Sequence, residues 1–284
     1  MSSESLTVNA PAKINLFLEI GGRRPDGYHN IESVMQSVSL YDVLTFEKTD
    51  GETTLACSVP SLVYEGNLAC RAAKLFYELT NIKGGVKIKL EKHIPVSAGL
   101  GGGSTDAAAT LSAMNRLYGD PLSKSELHAA ARSLGADVPF CLERGLCRAR
   151  GIGDELERLG TLPDCTILIS KGDSRVSTKK AYETLDRVDH RVIRSCEPVA
   201  EAITKGSLEE LSSGLYNAFE QIGDFDGEIK RIMKAHNAVG AVMSGSGPSV
   251  LGIYRDPDDA RKAERILKGS GRYCFICKPE YGEI

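Results

Sequence analysis

An α+β fold in two halves is what this 284-residue sequence predicts. Three observations lead there. Segments of alternating apolar residues and segments of helical spacing follow one another along the whole chain. The character of the chain changes near residue 162, where Leu162-Pro163-Asp164 precedes the apolar run Thr166 to Ile169. Strands and helices are mixed on both sides of that point, which favours α+β in each half, 1–162 and 163–284.

Thr7 to Ile20 alternates, with Val8, Ala10, Ala12, Ile14, Leu16 and Leu18 on one face and Lys13, Asn15 and Phe17 on the other, so a half-buried strand is expected. Val34 to Phe46, rich in β-branched and aromatic residues, reads as a second strand. Leu68, Ala72, Leu75, Phe76 and Leu79 recur at helical spacing behind Asn67, a suitable N-cap. Val86, Ile88 and Leu90 alternate again and lead into a glycine-rich loop, after which a helix is expected from about Ser104 to Leu117. Ser125 to Leu134 is a further helix ended by Gly135, and Ala136-Asp137-Val-Pro139 should then open a strand. The second half reads as helices near 177–186, 197–205, 207–221 and 226–236, a strand, a Gly245-Ser-Gly-Pro248 turn and another strand. A charged helix at 257–268 and a last strand at 272–278 follow.

Apolar residues make up 42% and charged residues 26% of the chain, and the formal net charge is −3. That balance gives no general reason to expect nucleic acid or an anionic membrane as partner, so an anionic ligand must be held by local groups. The opening residues MSSESLTVNAPAKI lack a basic stretch followed by an apolar core, and no apolar run reaches membrane-spanning length; a cytoplasmic protein is expected. Of eight cysteines only Cys274 and Cys277 have C-x-x-C spacing, with no second pair to complete a zinc site, so they are read as small hydrophobes.

The stretch Pro95-Val96-Ser97-Ala98-Gly99-Leu100-Gly101-Gly102-Gly103-Ser104-Thr105 places four glycines between a strand and an alanine-rich helix. Free N–H groups and the positive end of the helix dipole converge at such a junction, which makes it an anion site. Ser104 and Thr105 add hydroxyls that can cap the helix or bind phosphate or magnesium. No Lys follows the glycines as in a Walker A loop, and Ser104 stands where G-x-G-x-x-G needs its third glycine. Taken singly, Lys13 could be a solvated strand lysine, Gly245-Ser-Gly-Pro-Ser249 a hairpin turn and Asp137 a turn residue.

Together and in this order, Pro11-Ala-Lys-Ile-Asn15, the Pro95–Thr105 loop and Gly245-Ser-Gly-Pro-Ser249 closely resemble the GHMP kinase superfamily of ATP-dependent small-molecule kinases. The Gly-Leu-Gly-Gly-Gly-Ser-Thr-Asp version of the loop, Arg24-Pro-Asp-Gly-Tyr-His29, Asn67-Leu68 with Arg71-Ala-Ala73, and Ala136-Asp-Val-Pro-Phe140 are similar to one branch of it. The resemblance runs from residue 6 to about 255. It implies a first lobe like the second domain of ribosomal protein S5 and a ferredoxin-like second lobe. It implies ATP in the cleft with its phosphates on the loop and Asn67 nearby, and a divalent cation, magnesium, accompanying the nucleotide. The acceptor implied is the 2-hydroxyl of a CDP-linked methylerythritol, in non-mevalonate isoprenoid precursor synthesis. Another GHMP kinase, for homoserine or mevalonate, or a non-catalytic ligand-binding relative are the alternatives.

Phosphoryl transfer asks mainly for positioning and charge stabilisation. Asp137 matches the family's catalytic base, and Lys13 supplies a point charge that favours both the carboxylate and the developing alkoxide. Asn15, on the same strand face as Lys13, is expected to bind erythritol hydroxyls. Cytosine is expected between Tyr28 and Tyr182, with His29 reading its polar edge. Oligomeric state and dedicated metal ligands are not legible.

Overall fold

The computed structural model describes residues 5–172, 177–188, 191–223 and 227–282. Two very long strands organise the first half. β1 (Ser5–Arg23) and β2 (His29–Thr49) pair antiparallel along nearly their whole length, with register shifts at Pro11/Ala12 and Asn15/Phe17. β3 (Thr54–Cys57), α1 (Leu68–Thr80) and β4 (Gly85–Glu91) follow, then α2 (Gly102–Leu117), α3 (Lys124–Leu134), α4 (Val138–Glu143), β5 (Leu146–Arg150) and β6 (Glu155–Gly160). Local chemistry accounts for the helix starts. Asn67 Oδ1 accepts from Ala69 N at 2.9 Å, and Ser123 with Glu126 closes a capping box at the head of α3.

The second half runs β7 (Thr166–Lys171), α5 (Thr178–Leu185), α6 (Glu197–Lys205), α7 (Leu208–Gly214), β8 (Tyr216–Asn217), a 3₁₀ turn at Ala218–Ile222 and α8 (Gly227–Ala235). β9 (Gly240–Met243), β10 (Val250–Tyr254), α9 (Pro257–Gly269) and β11 (Tyr273–Cys277) complete it. Here the sheet is antiparallel in the order β11-β7-β10-β9, the ferredoxin-like arrangement expected. The other sheet has seven strands in the order β3-β4-β2-β1-β8, with β5 on β2 and β6 on β5.

Three expectations need correction. β1 is not half-buried: from Ala10 to Ile20 both faces are covered. One face meets α2, while Ala12, Ile14, Leu16 and Phe17 share a cluster with Ile167, Ile169, Val199, Val242, Leu251 and Ile253 of the second half. The stretch 207–221 is not one helix, because Tyr216–Asn217 pairs in parallel with Phe17–Leu18 of β1. Gly214, where α7 ends, also lies so close to α6 that a Cβ would stand 2.7 Å from Val199 Cγ2. After Asp137 the chain makes helix α4 and not a strand, with Pro139 in its first turn, where a missing N–H costs nothing. All eight cysteines are free thiols, six of them buried.

Candidate active site

The glycine loop brings the site together. Gly101 is the N-cap of α2 at φ 69°, and α2 begins at Gly102, two residues before the predicted Ser104. Gly102, Gly103 and Ser104 therefore form the first turn, and their N–H groups have no helix carbonyl to bond. The first helical bond is Thr105 N to Gly101 O at 2.9 Å. Gly101 lies directly on the stem of Lys13, since a Cβ there would be 2.7 Å from Lys13 Cγ. Gly99, at φ 76°, faces the second half so closely that a Cβ would stand 2.2 Å from Ser244 O. Close approach thus explains two of the glycines, and neither is Gly103, whose backbone is ordinarily helical.

Lys13 is almost wholly buried, and its Nζ donates to Asn15 Oδ1 at 2.9 Å and lies 3.4 Å from Asp137 Oδ2. Asp137 precedes α4 but its side chain makes no capping bond, so the carboxylate is left for Lys13 and the cavity. The two sit on one wall of a cavity of about 920 Å³ that also takes in Tyr28, His29, Ser104, Tyr182 and the Gly245–Gly247 turn. A smaller cavity of about 290 Å³ lies on the other side of the loop, lined by Asn67, Lys92 and Pro95 through Ser104.

Several expected site residues behave differently from the reading of their type. Asn15 is spent on structure: Oδ1 also accepts from Gly245 N at 3.0 Å, and Nδ2 donates to Ser33 Oγ at 2.9 Å. It holds the Lys13 ammonium and the turn in place, which leaves little of it for erythritol hydroxyls. Asn67 likewise uses both side-chain atoms, capping α1 and donating to Leu62 O. Ala98 and Leu100 bury their side chains in the cluster between the halves and can offer only backbone to a ligand. Thr105 points inward; its Oγ1 is buried without a partner and reaches neither cavity.

At the far end, Tyr28 is exposed on the rim while Tyr182 is held on two sides. The His29 ring lies 4.9 Å from Tyr182 at an interplanar angle of 30°, and Phe219 meets Tyr182 edge-on at 5.0 Å. Burial, aided by the Asp137 charge, pushes the Tyr182 phenol up to about 12. His29 already gives Nε2 to Asp186 Oδ1 at 2.8 Å, so only the rest of its ring and backbone can read a base.

Residues that sequence reasoning missed frame the loop. Asn217 Nδ2 donates to Met243 O at 2.7 Å and Gly245 O at 2.8 Å, and Ser244 Oγ donates to Gly99 O at 3.0 Å. Behind α2, Lys92 Nζ touches Asp42 and lies 2.7 Å from Asp106 Oδ2, while Asp106 Oδ1 has no partner. An acidic residue at the head of an alanine run was the available signal for this cluster. Among the described residues no three His, Cys, Asp or Glu side chains are grouped to hold a metal, and no helix is long and apolar enough to cross a membrane.

Two predictions arise here. Asn15→Ala removes the acceptor for a buried ammonium and for Gly245 N, and should cost about 1–3 kcal/mol of stability, read by denaturant melts. Unchanged stability would mean that Asn15 does not brace the turn. Burial pushes the Asp106 carboxyl up from 3.8 to about 7, with Asp42 adding and Lys92 opposing. A folded value above the unfolded one favours the protonated protein, so this contribution is present at low pH and is lost as pH rises through about 7. Asp106→Asn should flatten the decline in Tm between about pH 4 and 7, and an identical decline would discard the assignment.

Comparison with known proteins agrees with this architecture. Residues 67–145 match the family profile described as GHMP kinases N terminal domain, and 199–272 match GHMP kinases C terminal. The 4-diphosphocytidyl-2-C-methyl-D-erythritol kinase of Caldicellulosiruptor saccharolyticus is 42% identical over 271 residues, 93% of each chain. A crystal structure of 4-(cytidine 5'-diphospho)-2C-methyl-D-erythritol kinase superposes with TM-score 0.81 at 35% identity, covering 97% of this chain and 100% of that one. Homoserine kinase from Cytophaga hutchinsonii, 18% identical with TM-score 0.77 over 99% of this chain and 96% of its own, shares the fold. With full-length identity at that level and both family domains in order, the chain belongs to the 4-diphosphocytidyl-2-C-methyl-D-erythritol kinases of the GHMP family.

Proposed function

We propose that Lys13 and Asp137 carry an ATP-dependent phosphoryl transfer to the 2-hydroxyl of 4-diphosphocytidyl-2-C-methyl-D-erythritol, a step of isoprenoid precursor synthesis. The observation that supports this most is the 3.4 Å Lys13–Asp137 pair beside the free amides at the head of α2. An anionic donor group would rest on the amides of Gly102, Gly103 and Ser104, favoured by the helix dipole. Asp137 would take the proton of the acceptor hydroxyl, and Lys13 would stabilise negative charge at that oxygen and on the transferring group. Asn15 keeps the ammonium aimed. Magnesium would come bound to the phosphates of ATP and neutralise part of their charge, since among the described residues no carboxylate cluster is built for it.

In this reading residues 1–162 are the ATP-binding and catalytic lobe, and 163–284 close the cavity with the Gly245 turn and Tyr182. The ligands are small molecules, which suits a cytoplasmic setting. An assay of ADP release with the CDP-linked methylerythritol, mevalonate and homoserine tests it. Turnover with the first alone is expected, and turnover with either of the others in its place would overturn the assignment of acceptor.

A further inference from the structure

We infer that Asp186 is a positioning residue for base selection: it fixes the His29 ring so that Nδ1 faces the cavity as a hydrogen-bond acceptor, matched to a 4-amino pyrimidine and mismatched to a 4-oxo one. The inference rests on the reading that the cytosine of the acceptor occupies this end of the cavity.

Asp186 ends α5, four residues after Tyr182, and so shares its helix face. Its Oδ1 lies 2.8 Å from His29 Nε2, which comes from the start of β2 in the other half of the chain. A carboxylate offers only acceptor sites, so Nε2 must carry the proton in this bond. A neutral imidazole then has a bare lone pair on Nδ1. Among the described residues Nδ1 has no hydrogen-bond partner, and it is not one of the fully buried unpartnered atoms. The side chain is only 7% exposed and lines the large cavity, so the space left to Nδ1 is that of the cavity. Tyr182, wedged between the imidazole and Phe219, resists rotation of the ring.

Cytosine and uracil differ at one exocyclic group, an N–H donor in the first and a carbonyl acceptor in the second. An acceptor fixed opposite that position pairs with the amine and leaves two lone pairs facing each other with the carbonyl. Unpaired polar groups in a closed site are what reject a near-isostere. Stacking on Tyr28 or Tyr182 cannot make this distinction, because every base has a face.

The test compares kcat/KM for CDP- and UDP-linked methylerythritol in the unmodified protein, Asp186→Ala and Asp186→Glu. ¹⁵N NMR of histidine-labelled protein reads the His29 tautomer in each. The expected results are an Nε2-protonated ring in the unmodified protein and mixed tautomers in Asp186→Ala. The CDP preference should fall about tenfold or more in that variant. Asp186→Glu should recover both in part. Asp186 is half-exposed and a melting curve will establish that the variants fold. A role limited to structure would weaken both substrates equally. An unchanged ratio in Asp186→Ala, or an Nδ1-protonated ring in the unmodified protein, overturns the inference and leaves the kinase reading standing. Failure of the unmodified protein to phosphorylate the CDP-linked acceptor would instead overturn that reading and this inference together.

Discussion

Asp137→Asn is expected to lower kcat by about 10²–10⁴-fold while ATP and acceptor affinities stay within about tenfold. The change keeps the size and shape of the side chain and removes only its capacity to take a proton and its charge. Lys13 keeps its bond to Asn15, so the ammonium stays near its place. Because Asp137 makes no capping bond to α4, the substitution should lower the melting temperature only by what the lost Lys13 ion pair contributes. That combination separates a chemical role from a structural one. Stopped-flow turnover with saturating substrates, beside calorimetric affinities, reads both. Near-normal turnover would remove Asp137 from the mechanism.

Replacing Gly99 should have the second large effect, and of a different kind. Any Cβ at this position would stand 2.2 Å from Ser244 O, on a backbone at φ 76° that L side chains rarely adopt. The loop and the Gly245 turn must therefore move apart in Gly99→Ala, breaking the Ser244 Oγ to Gly99 O bond. Strained left-handed backbone alone costs about 1–3 kcal/mol, to which the collision adds. We expect a clear drop in Tm and a loss of ATP affinity of at least about tenfold, a factor equal to about 1.4 kcal/mol. Gly103→Ala is the control: its Cβ would meet only Leu68 Cδ1 at 3.5 Å, on helical backbone, and it should fold normally. If Gly99→Ala binds ATP as tightly as the control does, the loop is not held by the turn in the way described.

The contrast between these two glycines also marks what a sequence can tell. A glycine run before an alanine-rich helix is a local signal, and the free amides at the head of α2 are legible from it. So are the Asn67 cap and the end of α3 at Gly135, which depend on neighbours within a few residues. Which glycine meets another backbone was not legible, because Ser244 is more than a hundred residues away. The same holds for Asn15, whose side chain looks free for substrate until Gly245 and Ser33 arrive at it. Alternation in β1 revealed one apolar face and could not reveal that Lys13 would be buried under the glycine loop and Asn15 under the Ser244–Gly245 turn. β8 was read as helix because its pairing with Phe17–Leu18 outweighs a short segment's own preference.

The burial of β1 on both faces bears on how ligands reach the cavity. Two lobes that shared only a polar seam could swing about a hinge and admit large substrates by parting. Here Ile14 and Phe17 are packed among Ile167, Val242 and Leu251, and Glu280 N near the C-terminus bonds back to Ser37 O at 2.9 Å, so parting would expose the common core. The cleft is therefore of nearly constant width. The Arg24–Tyr28 turn with its exposed tyrosine forms the lip of that cleft, so in the proposed reading the pyrimidine end of a substrate would pass this rim while its phosphates would meet the free amides at the head of α2.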